Sequence, residues 1–546
     1  MSASDDPFCT RGDVVNASVP LSRRVVSGLS LILLAACGGP GSTATPGPGP
    51  APRVPQPIAY QPLTEGLPPI PAVDAPLAIR VIQPGANDAR PSVDSTFVYG
   101  SVGTGDVALL VNGVQVPVAP NGAFIAYLPL PQDGAWRLEA FKGRERAATT
   151  ITYRAAATPT PPGTAAPTGS TPEGAFPAPL AGVVTGGADT LATGSDAVYA
   201  RPTPTGTYRW FFPRGARLTL LERRRAQYRV QLDTATAWID TTAVRVQAGA
   251  SPSAPAGATM QAQVVPVADG AELRVASGFA PFLVNVGEGG VTVTVYRAGA
   301  AAVQVERNEF VTGATMAAAG AGASQATVSL ARGAWGYKAF YRPDGTLVVR
   351  IRQPPRIDAG DPLRGMRIVV DPGHPPAGAT GPTGLYEGDA NLAIGLRLAE
   401  RLRAGGAEVI LTRTTDAPLE LAPRVEMAVD RDAHLLVSVH NNAFGEGQNP
   451  FRAHHTSTYY FHPFSRDAAA ALVAEIAPVV RIPNRGALFG NLALARPTWM
   501  PSVLTESLFM PIPEQENALR DPQFVERLAE AHARGIEAFF RARAGR

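Results

Sequence analysis

Cysteine is almost missing from this chain. Its 546 residues hold two, Cys9 and Cys37, and both precede the first segment with a folding pattern. The folded part therefore carries neither an intrachain disulfide nor a cysteine-rich metal site. An excess of either charge is missing too: 48 Lys and Arg face 45 Asp and Glu, a net +3. There is no basic stripe and no acidic tail, which argues against nucleic acid as a partner. The apolar stretch at 25–36 is too short to cross a bilayer of about 30 Å as a helix. A hydrophobic content of 45% is enough for globular folding, and the length implies three to five domains rather than one core.

That apolar stretch follows Arg23-Arg24 and fits the core of a signal peptide. It ends Leu34-Ala35-Ala36-Cys37-Gly38, which resembles the lipobox of bacterial lipoproteins. The resemblance implies a signal peptide over residues 1–37 and lipidation of Cys37. At roughly 0.8 kcal/mol per buried methylene, several acyl chains would hold the mature chain on a membrane. Gly38 after the cysteine resembles outer-membrane sorting, which would place the protein in the cell envelope, facing the periplasm. An ordinary signal peptide that happens to carry a cysteine is the alternative.

The 55 Gly and 53 Pro are unevenly spread and mark linkers. Residues 38–75 are Pro/Gly-rich and read as an extended spacer. Residues 76–155 hold short strand candidates at 78–82, 96–100, 107–111 and 123–127, with Asn112-Gly113 and Asn121-Gly122 turns between them. They look like a bacterial immunoglobulin-like β-sandwich. A Pro/Thr-rich linker follows at 156–177. Residues 178–250 resemble an SH3-like β-barrel, either a wall-peptide binder or a spacer. Residues 258–356 are again β-rich, and Pro266 would end their first strand or keep it at a sheet edge.

From 364 to 543 the pattern switches to strands alternating with helices, so the chain reads as α/β: three small β domains ahead of a helix-flanked mixed sheet. Helices are expected at 389–404, capped by Asp389, at 421–429, at 466–479 and at 521–542. Strands are expected at 366–370, 408–412, 435–439, 458–461 and 501–505. His374, Glu387, His440 and Glu506 each sit at the end of an apolar strand-like run or in the loop after one. Two imidazoles and a carboxylate can bind one zinc ion and leave a position open for water. A second carboxylate nearby can take a proton from that water. A carboxylate following the Val503-Leu504 run is expensive to bury without a partner, which favours function for Glu506.

Asp371-Pro372-Gly373-His374, then Glu387 with Asn391-Leu392, Thr412-Arg413, Arg424, Ser438-Val439-His440-Asn441-Asn442 and Leu504-Thr505-Glu506 stand in the order of the zinc-dependent N-acetylmuramoyl-L-alanine amidases of the amidase 3 type. The resemblance covers about a third of the chain. It implies that His374, Glu387 and His440 are zinc ligands, that Glu506 is the catalytic carboxylate, and that peptidoglycan is cut between the lactyl group and L-alanine. The chain departs from the family at Pro375-Pro376, where Gly-Gly is usual, and no long helical insertion plugs the site. Asp371 is expected to hold its loop, and Arg413 and Arg424 to make structural ion pairs. Asn441 and Asn442 either fix His440 or form a turn. His454 and His455 could line the cleft; with His462 they read as surface or supporting residues. Arg485 and Arg496 either meet peptide carboxylates or do not. Two rival functions stand: a catalytically silent peptidoglycan-binding scaffold, and a zinc hydrolase of another cell-wall amide.

Overall fold

A computed structural model describes residues 55–544 except 87, 155–172, 187–196, 248–259 and 300–301. The signal peptide and Cys37 lie outside the described residues. Residues 55–75 form no strand or helix: a turn spans 63–67, and Val73 donates to the Pro120 carbonyl and accepts from Gly105 N. They do not hang free as a spacer. Tyr60 Oη and Thr64 N donate to the Glu514 carboxylate at 2.5 and 3.0 Å, and Asn517 donates to the carbonyls of Pro68 and Pro69.

Two antiparallel sheets follow. One joins Arg80–Gln83, Ser95–Ser101 and Ala123–Pro129; the other joins Val114–Val116, Ala108–Val111, Ala135–Lys142 and Glu145–Thr152. Val98, Phe124, Leu109, Trp136 and Leu138 fill the space between them. Alternate residues of a strand face opposite sides, so Phe97, Tyr99 and Ile125 point away from that core. They are nevertheless buried, because they join the core of the C-terminal domain. A seven-stranded antiparallel sheet spans 174–247, and its first strand, Gly174–Val184, begins inside the expected linker. Two further sheets share a core over 262–352. Pro266 lies within Ala262–Val267, but the parallel neighbour Val303–Val305 reaches only Ala262 to Val264. The missing N–H of Pro266 therefore falls where that strand has no partner on one side.

The C-terminal domain is a six-stranded mixed sheet. Its strand order is Glu408–Leu411, Arg367–Pro372, Leu435–Asn442, Ser502–Phe509, Thr456–Tyr460, Asn484–Phe489. The first four run parallel; Thr456–Tyr460 pairs antiparallel to the Glu506 strand. Helices cover both faces, which is why Ile368–Val370 and Leu435–Val437 read as continuous apolar runs. The terminal helix Pro522–Arg543 packs on Arg466–Val480 through Gly535, where a Cβ would fall 2.7 Å from Leu472 Cα.

Two local expectations change. The first helix spans Glu387–Ala404, with Tyr386 at its N-cap and no side-chain cap from Asp389. Glu387 is thus its first residue, not a loop residue. The strand Asn484–Phe489 and the short helix Pro513–Arg520 lacked a clear apolar period in the sequence.

Candidate metal centre

The parallel strands Arg367–Pro372, Leu435–Asn442 and Ser502–Phe509 end at one edge of the sheet and deliver His374, His440 and Glu506 there. Glu387 comes from the first turn of its helix. Asp371 pairs with Ser438, and His440 with Glu506. Paired residues on neighbouring strands share a face, so these side chains converge.

Ligand atoms of His374, Glu387 and His440 all lie within 4.8 Å of one another. Glu387 Oε2 is 3.2 Å from His374 Nε2, and Glu387 Oε1 is 3.2 Å from His440 Nδ1. The hydrogen bonds behind them set both tautomers. His374 Nδ1 faces the Pro376 carbonyl at 3.1 Å. A carbonyl only accepts, so Nδ1 carries the proton and Nε2 keeps a lone pair. Ser438 Oγ lies 2.6 Å from Asp371 Oδ2 and 3.1 Å from His440 Nε2. Its single proton goes to the carboxylate, so His440 Nε2–H donates to Oγ and Nδ1 keeps the lone pair. Both lone pairs face the Glu387 carboxylate. Two neutral imidazoles and an anionic oxygen around one point suit a divalent cation of the zinc type.

The support around this group is buried. Asp371 is fully buried and also accepts from Thr412 Oγ1 at 2.5 Å and Arg424 Nη1 at 2.8 Å. Arg424 further donates to the carbonyls of Leu419, Pro372, His374 and Pro375. Arg424 therefore makes the expected ion pair. Arg413 does not: it donates to the carbonyls of Pro372, Gly373, Gly388 and Thr415 instead. These clamps hold His374 at a φ of 57°, a conformation that costs a non-glycine residue energy unless its surroundings impose it. A Cβ on Gly373 would lie 2.2 Å from the His440 ring, so that ring position requires glycine. Asn391 Nδ2 donates to Glu387 Oε1 and the Gly373 carbonyl, and Asn441 Nδ2 donates to Asn391 Oδ1. Asn441 Oδ1 accepts from Leu508 N. Asn441 thus ties the metal group to the Glu506 strand, while Asn442 accepts from Ala443 N in the turn.

Electrostatics separate the two carboxylates. Burial acts to raise the Glu387 pKa, but hydrogen bonds and charge from His374 and His440 outweigh it and hold it well below the usual range. Burial opposes a charge on His374, and Glu387 reverses that effect, leaving its pKa raised. Glu506 is pushed well above the ordinary value, first by burial and then by the charge of Glu387. Its Oε2 is out of solvent contact and has no hydrogen-bond partner among the described residues.

The other sequence candidates stand outside the group of His374, Glu387 and His440. His454 and His455 face the carbonyls of Pro450 and Ala453 through Nδ1, and His462 is stacked on Phe464. None joins the metal group. Arg496 lies over the rings of Tyr199 and Tyr208 at 4.8 and 5.2 Å. Arg485 is exposed on the edge strand.

Residues the sequence did not single out also shape the site. Glu516, fully buried, accepts from Thr383 N, Thr383 Oγ1 and Leu385 N in the loop before Glu387. Tyr99 Oη donates to the Thr380 carbonyl in that loop at 3.0 Å. Thr96 and Gln83 donate to Glu446, and Tyr127 to the Gly447 carbonyl, in the loop after His440. The N-terminal sheet therefore braces both loops that flank metal-group residues. Its alternating aromatics, Phe97, Tyr99 and Tyr127, were the available signal.

Residues 368–538 match the family model of N-acetylmuramoyl-L-alanine amidase, Amidase_3. This C-terminal domain is an amidase-family domain. YqiI of Bacillus subtilis, an uncharacterized protein, is 28% identical over 192 residues, covering 34% of this chain and 90% of that protein. LytH of Staphylococcus aureus, a probable cell wall amidase, is 33% identical over 186 residues, 33% of this chain and 61% of that protein. Among solved structures, the catalytic domain of CwlV, an N-acetylmuramoyl-L-alanine amidase from Bacillus (Paenibacillus) polymyxa var. colistinus, is 34% identical. That likeness covers 32% of this chain and 97% of that one, with a TM-score of 0.30. The amidase domain thus occupies the C-terminal third, and the chain spans under two thirds of LytH.

Proposed function

We propose that the protein is a zinc-dependent peptidoglycan hydrolase that cuts the amide between the lactyl group of N-acetylmuramic acid and L-alanine. The observation that carries this reading is the pair of imidazole lone pairs 3.2 Å from the two oxygens of Glu387, with Glu506 beside them in register. His374 Nε2, His440 Nδ1 and Glu387 would hold the ion. Zinc bound there supplies the Lewis acidity that polarises an amide carbonyl and activates water near neutral pH. Glu506 takes the proton from the attacking water and returns it to the departing amine. A pKa raised by burial suits that shuttle, because it favours the protonated carboxyl that must carry the proton to the departing amine. Peptidoglycan as substrate is supported by the likeness to LytH, a probable cell wall amidase. The Leu34-Ala35-Ala36-Cys37 sequence supports lipid attachment at Cys37, which would tether the enzyme to the membrane, on the periplasmic side of an outer membrane. Loss of fatty-acid labelling in Cys37→Ser would check that attachment.

The test is digestion of purified sacculi by the full chain, with the products read by mass spectrometry. Free peptides beginning with alanine are expected, chelation should stop their release and zinc should restore it. Binding of wall material with no release would favour the silent scaffold. Cleavage at a different amide would favour the other hydrolase reading.

A further inference from the structure

Beyond the metal group, a line of side chains continues across the sheet. Glu506 pairs with His440 on one side and with Ser457 on the other. Ser457 is 1% exposed, and its Oγ has no hydrogen-bond partner among the described residues, like Oε2 of Glu506 next to it. Buried polar atoms in native proteins are almost always satisfied. The reacting carboxylate and the orphan hydroxyl beside it therefore mark a place where a ligand supplies the partners.

The next strand, Asn484–Phe489, is the sheet's edge. Its register to Thr456–Tyr460 slips by one residue: Thr456 pairs with Asn484 but Thr458 with Ala487. Arg485 and Gly486 therefore both stand opposite Ser457, and the φ of 75° at Gly486 accommodates the bulge. Side chains alternate along a strand, so Arg485, next after Asn484, stands on the face that Ser457 shares with Glu506 and His440. His455 feels the charge of Arg485 and packs against Phe509, 5.7 Å away on the Glu506 strand, which agrees with that placement. Arg485 is exposed and, among the described residues, has no carboxylate or hydrogen-bond partner.

We infer that Arg485 and Ser457 form a subsite for a carboxylate on the peptide side of the scissile amide, borne by the second residue past the cut. The inference rests on the amidase reading for the identity of the cleaved bond. The distances agree with the second residue. Neighbouring strands are about 4.8 Å apart, which puts the Arg485 backbone about 10 Å from that of Glu506. An extended peptide advances about 3.3 Å per residue, so its second residue lies about 7 Å from the reacting carbonyl. A guanidinium matches a carboxylate with two parallel hydrogen bonds. Ser457 Oγ offers a further donor between the cut and the acid.

The full chain should be given two N-acetylmuramoyl dipeptides that differ only at the second residue, one with a free carboxylate and one with the carboxamide. We expect a preference for the acid of about tenfold in kcat/KM, carried mainly by KM. Arg485→Ala should abolish the preference and leave turnover of the carboxamide unchanged, and Arg485→Lys should restore part of it. Calorimetric titration of the same two compounds reads the same contrast without chemistry. Equal affinity for both compounds, or equal loss of both in Arg485→Ala, overturns the subsite. Discrimination in binding without any cleavage would leave the subsite standing and sink the amidase reading; cleavage without discrimination does the reverse.

Discussion

Ser438 has one hydroxyl proton, and the buried carboxylate of Asp371 takes it. This makes Ser438 the acceptor for His440 and frees Nδ1 of that ring. Ser438→Ala removes the acceptor and leaves Asp371 one partner short. We expect metal affinity to fall about 10- to 100-fold, as for other residues that orient a ligand from behind, while the fold survives; competition with a chromophoric chelator measures it. Glu506 stands apart from the three ligand residues, so Glu506→Gln should keep the metal and lose about 10²- to 10⁴-fold in turnover. Metal content and sacculus digestion on one preparation would separate those outcomes. Equal turnover in both proteins would remove Glu506 from the mechanism.

Strands and helices here take their meaning from what covers them. The strand Ser95–Ser101 reads in sequence as an ordinary sandwich strand, yet both of its faces are buried, one in its own sandwich and one in the amidase domain. The segment 334–352 does the same from the other side. Trp335 packs on Phe539 and Phe540 of the terminal helix and donates from Nε1 to the His434 carbonyl at 2.8 Å. Arg352, 4% exposed, donates to the carbonyls of Ala433, Asp432 and Trp499. These contacts dock the adjoining strands, whose own apolar residues fill a separate core, onto the amidase domain. Trp335→Ala should cost roughly 3–5 kcal/mol, read by chemical denaturation. A fragment beginning at 364 should be less stable than one beginning at 258, because it leaves the terminal helix without its tryptophan. Equal denaturation midpoints would refute this.

At the scale of the whole molecule, buried histidines set an acid limit. His462 lies where the seven-stranded sheet meets the amidase domain, against Phe211 and Tyr337. His532 is fully buried in the terminal helix, between the Leu528 carbonyl and Thr505 Oγ1. Burial pushes both down to about 4 from 6.5, partly offset by their carbonyl partners. The unfolded chain therefore binds protons that the folded one refuses between pH 6.5 and 4. Stability is full above about 6.5 and falls as pH drops toward 4, by up to about 3 kcal/mol for each ring. Thermal melts across that range should show the decline, and it should shrink in His532→Asn. A flat profile would count against buried neutral rings.

The local sequence by itself determined the elements and the chemistry of the site. Apolar runs with period two or 3.6 placed most strands and helices of the amidase domain, and His374, Glu387, His440 and Glu506 stood in motifs that needed no partner to be noticed. Tertiary structure decided what depends on residues far apart in the chain. Asp371 and Ser438 meet only through parallel pairing, which sets a tautomer. Glu387 starts a helix, rather than lying in a loop, because Asn391 and the loop before it hold it there. Arg485 stands on the site's face because its strand pairs in parallel with Thr456–Tyr460, a long-range pairing that no local propensity records. The Pro-rich stretch before residue 76 carries no period of its own, so its place is set by distant partners, among them the carboxylate of Glu514 and the amide of Asn517, more than 400 residues away. Propensity and pattern act over a few neighbours, whereas register, tautomer and docking are set by contacts whose partners the chain supplies only once it has folded.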